Sequence, residues 1–452
     1  ELAAGDWPKL EQLRFERRAR RRRRVRHLLV HVLLALRLLR ERGYRHMPVT
    51  DHDHPVGVIS LRDLMRVASV GPAEVPRGLK GVVVADTEVG DVRGSEGFYH
   101  YRQYSAVDLA ERRPLEDVWR LMIDGALPTS AAERAAFAAE LRPLRVIPSS
   151  VEPLLPAIAA AGAPLDGLRT ALSLAAAARG LRPLIDIDAT QRRADAMFLT
   201  AVAPTLLAAL HRLAQGLEPV PPRGDLAAGA NWLWMLHGRE PSAEHAQAIG
   251  QYLVSTVDHG FNASTFTARV IASTGADMGA AVVGAIGSMS GPLHGGAPSR
   301  ALDLLDEIGS EDRIDAVVGP KILAGEKIMG FGHAVYQGDD PRSIMLRGVA
   351  RRLAAIGDAE ARRLVSLAEA TEAGVVRLLA AHKPDRQLRT NVEFYAGVVM
   401  QLCGVAPEMF TPTFASSRVI GWCANVLEQA AANKIIRPSA RYVGPPPPQP
   451  VP

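Results

Sequence analysis

The sequence predicts a mainly α-helical fold with a small α/β unit near its N-terminus. Aromatic residues make up only 5% of the 452 residues while alanine and leucine abound, a composition more typical of helical proteins than of β-sandwiches. After Asp108, apolar residues recur at helical spacing almost without interruption. Residues 28–70 instead alternate between helical and strand patterns. We therefore expect two architectures in a chain long enough for about three domains of ~150 residues.

The positive charge is concentrated at the N-terminus. The first 45 residues contain fourteen basic and five acidic side chains, whereas the remaining residues contain 39 basic and 43 acidic ones. We interpret residues 1–27 as an Arg-rich, solvated arm, the alternative being an arm that binds polyanions. Because the rest of the chain is mildly acidic, nucleic acid is not expected as a partner.

The cysteines and the apolar runs exclude several further classes. Cys403 and Cys423 are the only cysteines, which excludes a disulfide scaffold and any Cys-rich zinc or iron–sulfur site. We find no run of the ~18 apolar residues that a membrane-spanning helix needs. The best candidate, 28–39, is interrupted by His31 and Arg37. We expect a cytoplasmic protein with no membrane partner.

Residues 28–70 predict a compact α/β unit. A helix over 28–39 is followed by short strands at Met47–Val49 and Val56–Ile59, and Ser60 stands at the N-cap of a second helix. The segment GYRHMPVTDHDHPVGVISLRDLMR (43–66) resembles a CBS motif. Such motifs normally occur as pairs that bind adenine nucleotides, so this single motif would pair between subunits or be a relic. The resemblance leaves nucleotide binding as a hypothesis.

The turn of this unit is rich in potential metal ligands, namely His46, Asp51, His52, Asp53 and His54. The alternative, which we prefer, is that these are exposed loop residues. We predict no metal site.

The next segments connect this unit to a helical body. Residues 71–79 predict a linker, and Val82–Val84 and Phe98–Tyr101 predict short strands. The stretch Ala263 to Gly291, rich in Gly, Ala and Ser, predicts a buried helix packed closely against other helices. Residues 445–452 predict an extended polyproline tail.

Common nucleotide and nucleophile signatures are missing. The chain has no GxGxxG after a strand, no GxxxxGK[ST] and no GxSxG. The specialised segments must be sought elsewhere.

Two Gly-rich segments each carry a histidine. In SGPLHGGAPSRALDLLDEI (290–308), His294 precedes an amphipathic helix, whose N-terminus would disfavour the imidazolium and leave a neutral hydrogen-bond donor for an oxyanion. In MGFGHAVYQGDDPR (329–342), His333 follows Gly330 and Gly332, which allow a ligand to approach the backbone, and Arg342 lies nine residues further on.

A third segment, TNVEFYAGVV (390–399), places Glu393 in an otherwise apolar helix. A lone acid in such a position is either a partner in a structural ion pair or a base whose pKa is raised by burial.

These segments in this order resemble the citrate synthase family over residues 78–444, most closely its short actinobacterial citrate synthase 2 type. Further matching segments are GLKGVVVADTEVGDVRGSEGFYHYRQYSAVDLA (78–110), DGALPT (124–129), DHGFNASTFTARVIASTGAD (258–277), FTPTFASSRVIGWCANVLEQ (410–429) and IRPSARYVGP (436–445). The resemblance implies an almost all-helical homodimer with a large domain (80–296 and 403–444) and a small domain (297–402). It also implies condensation of acetyl-CoA with oxaloacetate to citrate and CoA, with no metal and no permanently bound cofactor.

The resemblance also implies roles for individual residues. His294 matches the histidine that stabilises the enol of acetyl-CoA, His333 the one that polarises the oxaloacetate carbonyl, and Glu393 the base. The groups expected to hold the oxaloacetate carboxylates are His259, Arg342 and Arg418, together with Arg437, which would reach into the partner subunit's site.

Two positions depart from the family pattern. Glu393 stands where Asp is usual, and misplacement by ~1 Å can cost about 100-fold in rate. Gln337 stands where many members have a Lys or Arg implicated in CoA binding, so CoA would bind more weakly or another basic residue would do this. Two alternatives stay open: a 2-methylcitrate synthase that uses propionyl-CoA, and a catalytically weak regulatory protein that binds acyl-CoA or adenine nucleotides.

Overall fold

The computed structural model divides the chain into two compact units, Glu1–Ala85 and Asp86–Pro452. It describes residues 35, 37, 39, 46–51, 54–60, 64, 77–79 and 81–451, apart from 293, 296–297, 334, 337, 383–387 and 433. The predictions for the Arg-rich arm, for most of the helix at 28–39 and of the linker, and for Gln337 lie outside these residues.

The first unit contains the predicted hairpin. Strand β1 (His46–Asp51) pairs antiparallel with β2 (His54–Ser60). Leu39 and Leu64, both in helical conformation, are buried and pack against Ile59 of the hairpin. The α/β prediction for this unit is confirmed, because the hairpin covers helical residues that precede and follow it in sequence.

The second unit begins with a small antiparallel sheet of the order β3–β4–β5. Its strands are Gly90–Arg93, Phe98–Tyr101 and Tyr104–Ser105. The prediction of a strand at Phe98–Tyr101 is confirmed. The one at Val82–Val84 is wrong: these residues form no strand, and the side chain of Val83 is 84% exposed. A valine run favours extended backbone, but it becomes a strand only with a partner and a surface to pack on.

Beyond Ser105 the described part of this unit is helical, as predicted. Its α-helices α1 to α16 are, in order, Ala106–Arg112, Leu115–Asp124, Ala131–Leu144, Leu155–Ala161, Pro164–Arg179, Ala189–Ala214, Ala228–His237, Ala243–Thr256, Ala263–Ala272, Met278–Met289, Pro298–Ile308, Ile314–Leu323, Pro341–Ile356, Ala359–His382, Val392–Leu402 and Phe410–Ala432.

Helix α6 forms the centre of this unit and packs against α4, α5 and α16. An 18-residue stretch of it has a mean hydropathy of 1.5, long and apolar enough to cross a membrane, so the prediction that no such stretch exists is wrong. Most of this stretch is buried inside the protein. A helix surrounded on all sides by other helices is apolar all round, which explains its composition without a membrane.

The small-residue stretch from Ala263 is two helices rather than the predicted single one. Gly275, with a φ of +82°, makes the turn between α9 and α10, and the Asp277 carboxylate caps α10 by accepting the N–H of Ala280 at 2.9 Å. The expected close packing is present. A Cβ on Gly284 would lie 2.2 Å from Cδ1 of Ile271 on α9, so a larger residue there would force the end of the Ile271 side chain to move.

The loop that follows α12 and the loop that precedes α15 are joined by two backbone hydrogen bonds. The N–H of Gly332 donates to the Arg389 carbonyl (2.8 Å), and the N–H of Asn391 donates to the Gly330 carbonyl (2.9 Å). Gly330 and Gly332 have φ values of +83° and +86°, a region that favours glycine. This pairing places His333 beside the start of α15.

Candidate active site

A cavity of about 1350 Å³ in the second unit brings together most of the predicted site residues. Its lining residues are described residues from within 252–263, 292–294, 325–342, 379–396 and 414–418, together with Asp91 and Val92. The predicted residues that line it are His259, His294, Gly330, Gly332, His333, Arg342, Glu393 and Arg418. Residues distant in sequence thus share one space, as a reaction between two substrates requires.

Arg342 is held by a buried ion pair. Its Nε and Nη2 donate to the two carboxylate oxygens of Asp340 at 3.0 and 2.8 Å, and both side chains are almost completely buried. Asp340 also accepts the backbone N–H of Val392 at 3.1 Å, which connects Arg342 to the first residue of α15. Burial alone would lower the pKa of Arg342, but the Asp340 carboxylate more than offsets this effect. The guanidinium therefore stays charged and fixed in direction.

Arg418, on α16, is buried without such a partner. Its Nε donates to the Thr256 carbonyl at 2.8 Å, and its guanidinium lies over the ring of Phe414 at 4.5 Å. Within the described residues its Nη atoms make no hydrogen bond. Burial lowers the pKa of Arg418, while the nearby Asp258 opposes that shift. Its unpaired Nη donors line the cavity and can bind an anion.

The tautomer of His333 follows from its backbone contacts. The N–H groups of Val335 and Tyr336 lie 2.9 and 3.1 Å from Nδ1, so Nδ1 is the acceptor and the neutral ring carries its proton on Nε2. Burial, and then the charge of Arg342, lower the pKa of His333 to about 4. Nε2 and Arg342 Nη2 are 3.3 Å apart, so two donors meet where one ligand oxygen can accept from both.

His259 completes this donor group. Its Nε2 lies 2.9 Å from the hydroxyl of Tyr336, and its ring centroid is 5.4 Å from that of His333. Burial lowers the pKa of His259 well below its usual value, and Arg342 and His333 add to the shift. His259 is therefore a neutral imidazole at pH 7.

His294 lines the same cavity through a separate set of contacts. Its Nε2 is 2.7 Å from Ser264 Oγ, which also accepts the indole N–H of Trp422 at 3.1 Å. The serine proton can go to Asn262 Oδ1, 2.8 Å away, or to His294. In the second case the imidazole proton sits on Nδ1. Burial, and then Arg418, lower the pKa of His294 to about 4, so these effects, rather than the helix N-terminus invoked from the sequence, account for its neutrality.

Glu393 lies in the first turn of α15, where Asn391 Oδ1 accepts its backbone N–H at 3.0 Å. The carboxylate lines the cavity and has no ion pair or hydrogen bond within the described residues, so the alternative of a structural ion pair finds no partner there. Burial raises the pKa of Glu393 to about 7, with Arg342 lowering it and Asp340 raising it. Such a carboxylate can exchange a proton near neutral pH.

Other candidate residues lie away from this group. Arg437 is exposed in the extended segment after α16 and does not line the cavity of its own chain. His46 and His54 of the hairpin are exposed, and His52 and Asp53 lie outside the described residues. Across the described ranges, no cluster of three or more His, Cys, Asp or Glu side chains could hold a metal ion.

Sequence reasoning missed four residues that shape the site: Tyr336, Asp340, Ser264 and Lys327. Asp340 precedes a proline at a helix start, a signal that predicts a cap but not the ion pair with Arg342. Ser264 is 30 residues from His294 and no local pattern joins them. Lys327, exposed in the loop before Gly330, lines the cavity and had no motif to single it out.

Comparisons with known proteins agree with this arrangement. The sequence profile of the citrate synthase C-terminal domain matches residues 78–439, and that of the CBS domain matches residues 31–70. A citrate synthase of Deinococcus radiodurans is 38% identical over 374 residues, 82% of this chain and 96% of the relative. A "Putative citrate synthase 2" of Mycobacterium tuberculosis is 40% identical over 393 residues, covering 84% and 96%. A 2-methylcitrate synthase of Shewanella oneidensis is 38% identical over 370 residues, covering 81% and 94%.

Solved structures share the fold. Citrate synthase from Pyrobaculum aerophilum superimposes with a TM-score of 0.75 at 34% identity, covering 84% of this chain and 94% of the other. Citrate synthase from Thermoplasma acidophilum, solved with carboxymethyl coenzyme A and oxaloacetate, gives a TM-score of 0.77 at 26% identity, covering 84% and 98%. The profile match, the relatives and the structures together show that this chain belongs to the citrate synthase family, as an enzyme of that type preceded by a CBS domain.

Proposed function

We propose that this enzyme condenses acetyl-CoA with oxaloacetate and hydrolyses the product to citrate and CoA. The observation that carries the proposal is the content of one cavity: three histidines with lowered pKa values, two buried guanidinium groups and a carboxylate with a pKa of about 7. A neutral donor, a base and binding groups for a dianion are what an enolisation followed by attack on a keto-diacid needs.

Oxaloacetate binds through its two carboxylates. Arg418, with unpaired Nη donors, takes one carboxylate, and Arg342 and His259 take the other. His333 then donates from Nε2 to the keto oxygen, which becomes an alkoxide as the new carbon–carbon bond forms. One such donor is worth about 3–4 kcal/mol of transition-state stabilisation.

Glu393 removes a methyl proton of acetyl-CoA, and His294 donates a hydrogen bond to the developing enol oxygen. This role requires the Nδ1–H tautomer, so Ser264 donates its proton to Nε2 of His294. The enolate carbon attacks the keto carbon, and the resulting alkoxide, stabilised by the His333 hydrogen bond, ends with the proton that Glu393 removed from the methyl group. Water then attacks the thioester carbonyl of citryl-CoA: its hydroxyl group completes the new carboxyl group of citrate, and its proton goes to the leaving CoA thiolate.

Lys327 serves the phosphate groups of CoA. It is an exposed cation on the loop that lines the cavity beside Gly330, and it can take the role that Gln337 cannot fill. CoA is a substrate here, and the enzyme needs no bound cofactor or metal.

The enzyme acts as a cytoplasmic homodimer in the tricarboxylic acid cycle. Residues 297–402 form a small domain that closes on a large domain of 80–296 and 403–444, since both segments line the cavity. The exposed Arg437 reaches the partner subunit's site. Mixing Arg437→Ala with Glu393→Gln subunits tests this sharing, because each mixed dimer regains one complete site; no regain of activity would contradict it.

Propionyl-CoA is the second candidate substrate, because a 2-methylcitrate synthase is as similar to the chain as a citrate synthase is. One methylene changes discrimination by only about 1–3 kcal/mol. Release of CoA from each thioester in the presence of oxaloacetate decides between them, with His294→Ala as control. We expect a higher kcat/KM for acetyl-CoA, and a preference for propionyl-CoA would reverse the assignment. No turnover with either would favour a regulatory binding protein.

A further inference from the structure

Glu372, on α14, lies outside the cavity but connects the segments that carry its site residues. Its Oε2 accepts from the hydroxyl of Tyr395 at 2.6 Å and from Arg347 Nη1 at 3.0 Å. Its Oε1 accepts from Thr390 Oγ1 at 2.8 Å, and Thr390 in turn accepts from Ser343 Oγ at 2.9 Å. One carboxylate thereby joins α13, α15 and the loop between α14 and α15.

Three of these four donors, Ser343, Tyr395 and Thr390, are close in sequence to a site residue. Ser343 follows Arg342 directly, and Tyr395 stands two residues after Glu393 in α15. Thr390 pairs with Phe331 in the strand-like contact between the loop of 330–332 and the start of α15. Movement of any of these donors would displace an anion-binding arginine, the loop before His333 or the base.

The hydrogen bonds of this network all run towards the Glu372 carboxylate. Ser343, Thr390 and Tyr395 are buried, so each hydroxyl must find an acceptor inside the protein. Glu372 receives three donors on two oxygens and donates none. A glutamine keeps the shape but presents an NH2 group in place of one oxygen, which faces a donor with a donor.

We propose that Glu372 is a positioning residue for the reaction, fixing Arg342, the His333 loop and Glu393 relative to one another. The inference rests on the proposed function. Glu372 acts through other residues and does not contact the substrate. A shift of ~1 Å in the reacting groups can lower the rate about 100-fold. A hydrogen-bond network that holds the residues next to those groups can therefore control turnover without contacting the substrate.

Glu369 offers a matched control. It lies three residues before Glu372 on α14, and its carboxylate pairs with Arg351 of α13, so it joins two of the same elements. Both side chains of this pair are more exposed than Glu372, and neither lines the cavity. Glu369→Gln removes the same charge and an α13–α14 contact without touching Thr390 or Tyr395.

The test compares steady-state kinetics and thermal unfolding of the full-length variants. We expect Glu372→Gln to lower kcat about 10- to 100-fold and to raise the KM for oxaloacetate, while Glu369→Gln matches the unaltered enzyme. Tyr395→Phe, which cuts the branch to the base, lowers kcat with an unchanged KM for oxaloacetate. Ser343→Ala, which cuts the branch to Arg342, mainly raises that KM. Tyr395→Phe added to Glu372→Gln has little further effect.

Kinetics of Glu372→Gln equal to those of Glu369→Gln would overturn the proposal. So would Tyr395→Phe and Ser343→Ala effects that follow only the loss of folded protein, with no separation of kcat from KM. If Glu372→Gln does not fold, these two variants still decide. If the unaltered enzyme turns over neither thioester, the proposed function has failed, and calorimetric titration with oxaloacetate takes over: weaker binding by Ser343→Ala than by Glu369→Gln supports the network, and equal binding refutes it.

Discussion

Arg342 and Arg418 are both buried in the cavity wall, but their surroundings differ. Arg342 is saturated on one edge by Asp340, which also binds the backbone of α15. Arg418 makes one hydrogen bond through Nε, to a carbonyl, and presents its Nη donors to the cavity. The Arg342 guanidinium is thus fixed by its neighbours, whereas the Arg418 guanidinium keeps Nη donors that can bind an anion.

The largest expected effect is a difference in unfolding free energy between variants of these two arginines. Arg342→Met leaves Asp340 buried without its partner, and such a loss typically costs about 3–5 kcal/mol of unfolding free energy in addition to the loss of activity. Arg418→Met removes one charge-assisted hydrogen bond, about 1.5–3 kcal/mol, but also relieves the burial of an unpaired cation. Urea unfolding should therefore rank Arg342→Met as clearly less stable. Equal losses would mean that Arg418 is as much a structural residue as Arg342.

Removal of the base should lower turnover without unfolding the protein. Glu393→Gln keeps the shape of the side chain and its backbone cap, and loss of a general base costs about 10²- to 10⁴-fold in kcat. Steady-state kinetics with acetyl-CoA measure this effect, and calorimetry should find unchanged oxaloacetate binding. A variant with kcat within a factor of a few of the unaltered enzyme would remove Glu393 from the mechanism.

The pH dependence sharpens the comparison further. Glu393 must be ionised to accept a proton, so kcat/KM for acetyl-CoA should rise with pH through an apparent pKa of about 7. The pKa values of His294 and His333 are near 4, so both rings are already neutral near pH 7 and do not contribute to this rise of kcat/KM. Asp340→Asn removes a negative charge that raises the pKa of Glu393, which moves this rise to lower pH. If the pH at which kcat/KM rises is unchanged in Asp340→Asn, the rise reflects the titration of a group other than Glu393.

The smallest expected effect concerns CoA. Lys327→Met should raise the KM for acetyl-CoA up to about fivefold, because an exposed ion pair is worth at most about 1 kcal/mol, and should leave the KM for oxaloacetate unchanged. Lys321→Met on α12, whose ammonium pairs with Glu307 and does not line the cavity, is the matched control. Equal KM values for acetyl-CoA in the two variants would mean that residues other than Lys327 bind the phosphate groups of CoA.

Periodicity predicted the helical class and the hairpin of the first unit because these depend on neighbouring residues. The break at Gly275 was missed because the small residues on both sides are equally compatible with one helix. The prediction of a strand at Val82–Val84 was wrong because strand formation depends on a partner elsewhere in the chain, which neighbouring residues do not reveal.

The candidate site shows the same limit. His294, His333 and Glu393 stand in distinctive segments, and the family resemblance singled them out together with the arginines. Asp340, Ser264 and Glu372 make contacts that no local pattern contains: the donors to Glu372 lie 18 to 25 residues away, on either side in sequence. Their importance becomes visible only when the helices are packed.

The apolar helix α6 has a consequence for the life of the newly made chain. One of its principal packing partners, α16, begins roughly 200 residues later. At about 5–20 residues per second, a ribosome needs some 10–40 s to complete that partner. For this interval α6 lacks one of the helices that bury it, so completion of its burial has to wait for the synthesis of α16.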